Sequence, residues 1–254
     1  MAVNTLKGAI KNLRNVDFLA EATFGDVPGY HVIHKFAYNP DIDLGDTEDV
    51  WDVGSDYLYF DTAEPMEVVS NDASDNVSGI GAHTVKVFYL NSGFAESTEV
   101  VTLTGTTAVA LIGTARRTWR AQILTAGTSG GCIGNISIQG SGGGDLQAFI
   151  ASVDSGGGNQ TLMSQYTIPA SHTATVLALH FSTGKNKDID YLFQTREQGE
   201  VFRTQHRQDI YQNAEEIIIP IPLKEKTDIR IRGLADAANT PATCDYAMLL
   251  KHKV

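Results

Sequence analysis

The chain has 254 residues and a mass of 27.4 kDa, enough for one large domain or two small ones with a substantial core. Its formal charge is −11, and 12 of its 30 acidic residues lie within residues 36–85, which contain no Lys or Arg. This balance excludes a general nucleic-acid binder, because phosphate contacts require clustered Lys and Arg, and no apolar run reaches the roughly 18 residues of a membrane-spanning helix.

The first predicted element is a short amphipathic helix within residues 1–29. Leu6, Ile10 and Leu13 follow i, i+4, i+7 spacing, with basic residues between them. Such an apolar stripe either packs on its own domain or docks on a neighbouring chain, and both interpretations stay open. Residues 1–30 also lack the apolar core of a signal peptide, so we expect a protein that remains inside the cell that makes it.

From residue 30 onward the pattern predicts roughly a dozen short strands separated by turn residues. Glycine-rich segments at 141–144 and 156–158 flank one predicted strand and are typical of hairpin loops. We therefore predict an all-β fold: an antiparallel β-sandwich of jelly-roll type that forms a single domain over residues 30–254, preceded by the N-terminal arm of residues 1–29. The predicted strands include Tyr30–Phe36, Tyr57–Phe60, Thr84–Leu90, Thr118–Thr125 and Ile133–Gln139.

The segment Gly127-Thr128-Ser129-Gly130-Gly131 matches the G-x-S-x-G pattern of hydrolases. In those enzymes the serine stands between a strand and a helix. Here residues 132–138 have the pattern of another strand, which favours a glycine turn over a nucleophile. We predict no catalytic residue and no enzymatic activity.

The cysteines and histidines do not form a metal-binding motif. Cys132 and Cys244 are far apart in the chain, and we expect buried thiols rather than a disulfide. His31 and His34 are three residues apart, which places their rings on opposite faces of a strand and disfavours joint zinc ligation.

The acidic segment Asn39–Asp49 contains the one metal-like arrangement in the sequence. Asp41, Asp43 and Asp46 surround Gly45, and carboxylate oxygens suit a hard cation such as Ca²⁺. The spacing is not that of an EF-hand, and the alternative is a solvated acidic loop. Structural calcium is the one cofactor that the sequence suggests.

Three arginines flank a tryptophan in the segment Arg116-Arg117-Thr118-Trp119-Arg120. This cluster is too small to indicate a nucleic-acid site, since such sites need a basic groove with several aromatic side chains. We expect Arg116, Arg117 and Arg120 to meet the acidic residues of 36–85, in the same chain or across an interface between copies. Together with Leu6, Ile10 and Leu13 they are the predicted interface residues.

Several separate motifs of the chain occur in the same order in one protein family. They are HKFAYNPDID leading to EDVWD (residues 34–43 and 48–52), VSNDASDN leading to GIGAHTV (69–76 and 79–85), ESTEVVTLTGTTAV (96–109), AGTS with GNI (126–129 and 134–136), YTIPA (166–170) and PLKEKTDIR (222–230). The chain thus resembles a family of virion structural proteins of tailed bacteriophages, especially short-tailed marine phages, and of some large algal viruses. The resemblance extends over residues 34–250.

This resemblance implies a non-enzymatic virion component attached to the capsid or tail: a decoration protein, a head fibre or a tail adaptor. It also implies partners, namely other copies in a homo-oligomer that we expect to be a trimer, and the major capsid, portal or tail proteins. Direct nucleic-acid or membrane partners are not expected, and the virion would be assembled in the host cytoplasm. The alternative function is a receptor- or carbohydrate-binding module of the tail, in which Asp56, Tyr57 and Tyr59 would contact a sugar.

Overall fold

The computed structural model describes residues 18–211, 214–217 and 220–253. In these ranges the chain forms helix α1 (Phe18–Phe24) and then the strands β1 (Tyr30–Ile42), β2 (Thr47–Asp49), β3 (Glu64–Ser70), β4 (Ala82–Leu90), β5 (Glu96–Thr102), β6 (Val109–Ala115), β7 (Arg117–Ala126), β8 (Ile136–Gly140), β9 (Leu146–Ile150), β10 (Tyr166–Thr167), β11 (His172–Thr183), β12 (Asp188–Arg196), β13 (Arg203–Tyr211), β14 (Ala214–Ile217), β15 (Ile221–Leu223), β16 (Asp228–Ala235) and β17 (Thr240–His252). A short 3-10 turn, Val153–Ser155, follows β9.

Two sheets face each other as a jelly roll. Sheet 1 has the order β1-β17-β11-β14, and β15 also pairs with β11. In sheet 2, β13 pairs with β12 and β12 pairs with β16. The other edge of β16 is shared, because β2 pairs with Arg232–Leu234 and β10 pairs with Asp228–Ile229. Two antiparallel sheets with this strand order form a jelly roll in which ten strands fill eight positions, because β14 and β15 divide one edge of sheet 1 and β2 and β10 divide one edge of sheet 2.

Residues 51–163 lie between β2 and β10 in the chain and form a second sandwich, here called the inserted sandwich. Sheet 3 has the order β6-β3-β8-β9 and sheet 4 the order β5-β4-β7. Buried side chains of both sheets meet between them, for example Met66 and Ile138 from sheet 3 with Val85 and Val87 from sheet 4. The inserted sandwich therefore has an apolar core separate from that of the jelly roll.

Alternation of buried and outward side chains positions the jelly-roll core. In β17 the buried residues occupy every second position: Thr240, Ala242, Cys244, Tyr246, Met248 and Leu250. Burial of a large apolar side chain stabilises a fold by about 1.5–3 kcal/mol, and a slip by one residue would turn this whole set toward solvent. The pattern therefore fixes the register in which Tyr246 lies opposite Lys35 on one side and Leu179 on the other.

Helix α1 is held against the first strand of the jelly roll. It buries Ala22 and ends at Gly25, whose φ of 81° is in the left-handed region that suits a helix C-terminus. The ring of Phe18 meets the ring of Tyr30 edge to face, with centroids 5.3 Å apart. The described residues contain no helix that is long and apolar enough to cross a bilayer.

The predicted antiparallel all-β sandwich is confirmed. The sequence predicts one sandwich over residues 30–254, whereas the described residues build two, with the second inserted into an edge of the first. Helix α1 falls within the predicted arm of residues 1–29. The predicted apolar stripe, Leu6, Ile10 and Leu13, lies outside the described residues.

Candidate functional site at the joint between the sandwiches

The carboxylate of Asp228 ties the inserted sandwich to the jelly roll. Asp228 begins β16 and is 2% exposed. Arg117 of β7 donates to it from Nε at 2.9 Å and from Nη2 at 3.0 Å, so the pair is bidentate. Arg196 of β12 and the Thr167 hydroxyl donate to the same carboxylate, at 2.6 Å each. Burial raises the pKa of Asp228, but the hydrogen bonds and charge of Arg117 outweigh burial and hold it below its ordinary value.

The rest of the Arg117 guanidinium is also bound within the chain. Its Nη1 donates to the carbonyl oxygens of Phe60 and Arg116, at 2.6 and 2.7 Å, and its plane lies 5.0 Å from the ring of Tyr59. The side chain is 8% exposed. Arg117 is therefore unavailable to a second copy, in contrast to its predicted place at an interface.

A second buried carboxylate, Asp49, stands at the end of β2. One oxygen accepts the backbone N–H of Tyr57 at 2.8 Å. The other faces two arginines at longer distances, 3.5 Å to Nε of Arg232 and 3.8 Å to Nη1 of Arg230. Burial raises the pKa of Asp49 to about 6, and the two arginines and the Tyr57 N–H offset part of that effect.

The two connections between the sandwiches run side by side. Trp51 is bridged to Met163, and the N–H of Ser164 donates to the carbonyl of Val50 at 3.1 Å. Asp52 adds two hydrogen bonds between these connections. Its N–H donates to Leu162 O and its carboxylate accepts the N–H of Leu162, both at 3.2 Å. Burial raises the pKa of Asp52 to about 7.

Aromatic rings fill the space beside these connections. The Tyr57 ring meets Trp51 and Tyr59 edge to face, with centroids 5.5 and 4.8 Å away. Tyr57 is 4% exposed, and its hydroxyl donates to Gln147 Oε1 at 2.7 Å. Asp56 is bound by the guanidinium of Arg232. Asp56, Tyr57 and Tyr59, the residues suggested for sugar contact, thus make contacts at the boundary between the two sandwiches.

Asp75, one of the acidic residues within 36–85, holds the loops at one end of the inserted sandwich. It is 0% exposed. Its carboxylate accepts three backbone N–H groups, from Ala82, Ile133 and Gly134, at 2.8–2.9 Å, and the hydroxyl of Ser70 at 2.5 Å. A carboxylate with this many donors holds the backbone of the loops around it.

Of the residues predicted for calcium, Asp41 lies near the end of β1, and Asp43 and Asp46 lie in the loop between β1 and β2. Asp41, Asp43 and Asp46 are exposed, and the backbone N–H of Asp43 donates to the Glu48 carboxylate at 2.9 Å. Among the described residues, no three His, Cys, Asp or Glu side chains are grouped to hold a metal ion. The calcium site stays a prediction, to be tested by calorimetry with Ca²⁺ and by a melting curve after chelation.

The other two predicted interface arginines are half-buried. The guanidinium of Arg116 lies over the ring of Phe94 at 4.7 Å. That of Arg120 lies 5.4 Å from the ring of Trp119 and donates to the carbonyl of His34 in β1. Both side chains therefore have contacts within the chain, and their role between copies stays a prediction.

Ser129, the two cysteines and His34 are the remaining residues that the sequence singled out. The hydroxyl of Ser129 lies 2.7 Å from the carbonyl oxygens of Ile80 and Gly131, in a turn. Cys132 and Cys244 are both buried and free, as expected. His34 extends from the outer face of sheet 1, where its Nε2 lies 3.4 Å from Asp245.

No family model matches the chain, and no curated protein matches it. Among solved structures, the infectious bursal disease virus Gt strain is similar at 11% identity and a TM-score of 0.24, over 93% of this chain and 78% of that chain. The Gx strain is similar at 9% identity and a TM-score of 0.25, over 88% and 72%. The VP2 subviral particle of the same virus is similar at 8% identity and a TM-score of 0.21, over 93% and 78%. With scores this low, the likeness carries no argument for this chain.

Proposed function

We propose that this chain is a non-enzymatic structural component of a virion, of the kind that its sequence motifs resemble. The supporting observation is the role of the motif residues in the frame. Asn39 is buried and binds the Glu48 carboxylate, Asp49 and Trp51 build the joint, and Asp228 clamps the two sandwiches.

The glycines of the shared motifs serve the same purpose. A Cβ at Gly79 would lie 2.0 Å from the carbonyl oxygen of Ser74, and one at Gly81 would lie 2.1 Å from the Asp75 carboxylate. Only glycine permits these close approaches. The residues that carry the resemblance thus fix the shape of the protein. This is expected of a structural protein, whose function in an assembly depends on its shape.

We further propose that the protein acts as several copies, in a homotrimer attached to the capsid or tail, where it contacts the major capsid, portal or tail proteins. Symmetric self-association is the common state of such parts. Decoration protein, head fibre and tail adaptor are the alternatives that the position in the particle distinguishes.

The test is an averaged electron-microscopy reconstruction of the parent particle. We expect density for both sandwiches at a repeated position, in the fixed relative orientation set by Arg117 and Asp228. Purified particles that lack the protein would refute the proposal. Light scattering of the isolated protein tests the assembly separately, and a monomer at micromolar concentration would contradict the trimer.

A further inference from the structure

Three histidine rings meet at one end of sheet 1. His31 is the second residue of β1, His172 the first of β11 and His252 the last of β17. The centroids of His31 and His172 are 5.8 Å apart, and those of His172 and His252 are 5.0 Å apart. We call these three residues the histidine cluster.

Hydrogen bonding sets the tautomer of the His172 ring. Its Nδ1 lies 2.9 Å from the carbonyl oxygen of Ala170. Because a carbonyl only accepts, Nδ1 must carry the hydrogen, and Nε2 is then the protonation site of the neutral ring.

The charged and titratable groups near the cluster come from several elements: Glu96 of β5, Glu225 of the loop before β16, Tyr30 of β1, Lys251 of β17, and Lys253 after it. Glu225 is already bound by Lys253 Nζ at 2.9 Å and by the N–H of Ser171 at 2.7 Å. Burial lowers the pKa of His31, Glu96 opposes this and His172 adds to it, so the pKa lies below its ordinary value.

The cluster stands where the N-terminal segment joins the jelly roll. The N–H of His252 donates to the carbonyl of Gly29, and the N–H of Lys253 donates to the carbonyl of Ser171, both at 2.8 Å. Tyr30, which lies between Gly29 and His31, carries the ring on which Phe18 of helix α1 packs. A disturbance of the three rings would therefore reach the contacts that hold residues 18–29.

We propose that the histidine cluster is an acid-sensitive latch, which holds residues 18–29 on the jelly roll at neutral pH and releases them when it is protonated. Two imidazolium ions in ring contact repel each other, and this repulsion favours separation of the strand ends. For His31 the folded protein binds a proton less readily than the unfolded chain. Its contribution to stability is therefore present above the ordinary histidine pKa of about 6.5 and is lost as the pH falls from there through the lower pKa of His31 in the folded protein. This inference does not depend on the proposed function.

Amide hydrogen exchange of the full chain tests the latch. Between about pH 7.5 and about pH 5, after correction for intrinsic exchange, we expect the protection of residues 18–31 to fall at least about tenfold. A peptide from β12 should keep its protection. In the variant His172→Gln, which lacks the ring that contacts both others, the fall should shrink to about twofold or less.

The matched control is His83→Gln, because the His83 ring lies in the inserted sandwich, 2.9 Å from the carbonyl of Gly79. It should behave like the wild type. Unchanged wild-type protection at low pH, or an equal fall in His172→Gln, would overturn the proposal. Should that variant not fold, titration of the His31 ring of the wild type by NMR decides: we expect a midpoint below that of an ordinary histidine, and an ordinary midpoint would also overturn the proposal.

Discussion

Arg117 and Asp228 form a bidentate ion pair across the boundary between the two sandwiches, with both side chains less than a tenth exposed. Removal of one partner leaves the other charge buried and uncompensated, which costs about 3–5 kcal/mol. We therefore expect Arg117→Ala to lower the free energy of unfolding in urea by that amount. Arg117→Lys keeps the charge but loses the second bond, and should lie between Arg117→Ala and the wild type.

The control for this pair is Arg207→Ala. Arg207 also binds a carboxylate, that of Asp190, but its side chain is 61% exposed. Exposed pairs contribute about 1 kcal/mol or less. Equal losses for Arg207→Ala and Arg117→Ala would show that the joint has no special role in stability.

Replacement of Asp75 by Ala should be among the most destabilising changes in the inserted sandwich. The three backbone N–H groups that its carboxylate accepts would lose their partner in a buried site. Each unsatisfied buried group costs about 1–3 kcal/mol, so we expect a loss of about 3 kcal/mol or more in thermal or urea unfolding. Asp72→Ala, which removes a carboxylate bonded to the N–H of Ser74 close to the surface, should destabilise the fold much less than Asp75→Ala, because water can take the place of that carboxylate.

The carboxyl group of Asp52 should make stability depend on pH. Its pKa is raised to about 7 in the folded protein, so the contribution is fully present below the unfolded value and is lost as the pH rises through 7. Asp52→Asn keeps an oxygen for the Leu162 N–H and cannot ionise. At about pH 8 it should raise the free energy of unfolding by about 1 kcal/mol or more, and this gain should shrink as the pH falls and vanish below about pH 4.

Urea unfolding of both proteins across this range checks the prediction, with Asp61→Asn as an exposed control. A difference between Asp52→Asn and the wild type that stays constant from low to high pH would contradict it.

Lys35 should give the opposite pH dependence. It is 2% exposed, donates to the carbonyl of Trp119, and burial lowers its pKa well below the ordinary value. The folded protein thus holds the proton less tightly than the unfolded chain, and the stability of the wild type relative to Lys35→Met should increase between about pH 7 and about pH 10. Lys185→Met, at an exposed position, should show no such trend.

Strand positions followed from the sequence wherever one face of a strand is buried. The predicted strands Thr84–Leu90 and Thr118–Thr125 fall within β4 and β7, since alternation is strong in both. The predicted strand Tyr57–Phe60 is wrong. Its alternating aromatic residues fill the joint, and the N–H of Tyr57 binds the Asp49 carboxylate instead of a neighbouring strand.

The joint itself could not be predicted, for a physical reason. Arg117 stood out as a charged residue beside an aromatic one, but its partner Asp228 is 111 positions away, and no local pattern links the two. The division into two sandwiches is hidden for a similar reason. Short strands with alternating burial have the same sequence pattern whichever core they face. The pairing of β2 and β10 with one edge of β16 joins residues that are far apart in the sequence.

That shared edge has a consequence for how the protein can vary. The chain leaves the jelly roll at Val50 and returns at Ser164, and these two residues are hydrogen-bonded to each other. Chain ends this close together are typical of sites that tolerate a change of inserted domain. Another folded unit with adjacent ends could therefore take the place of the inserted sandwich, provided that it supplied the buried Asp228 with a cation, as Arg117 does.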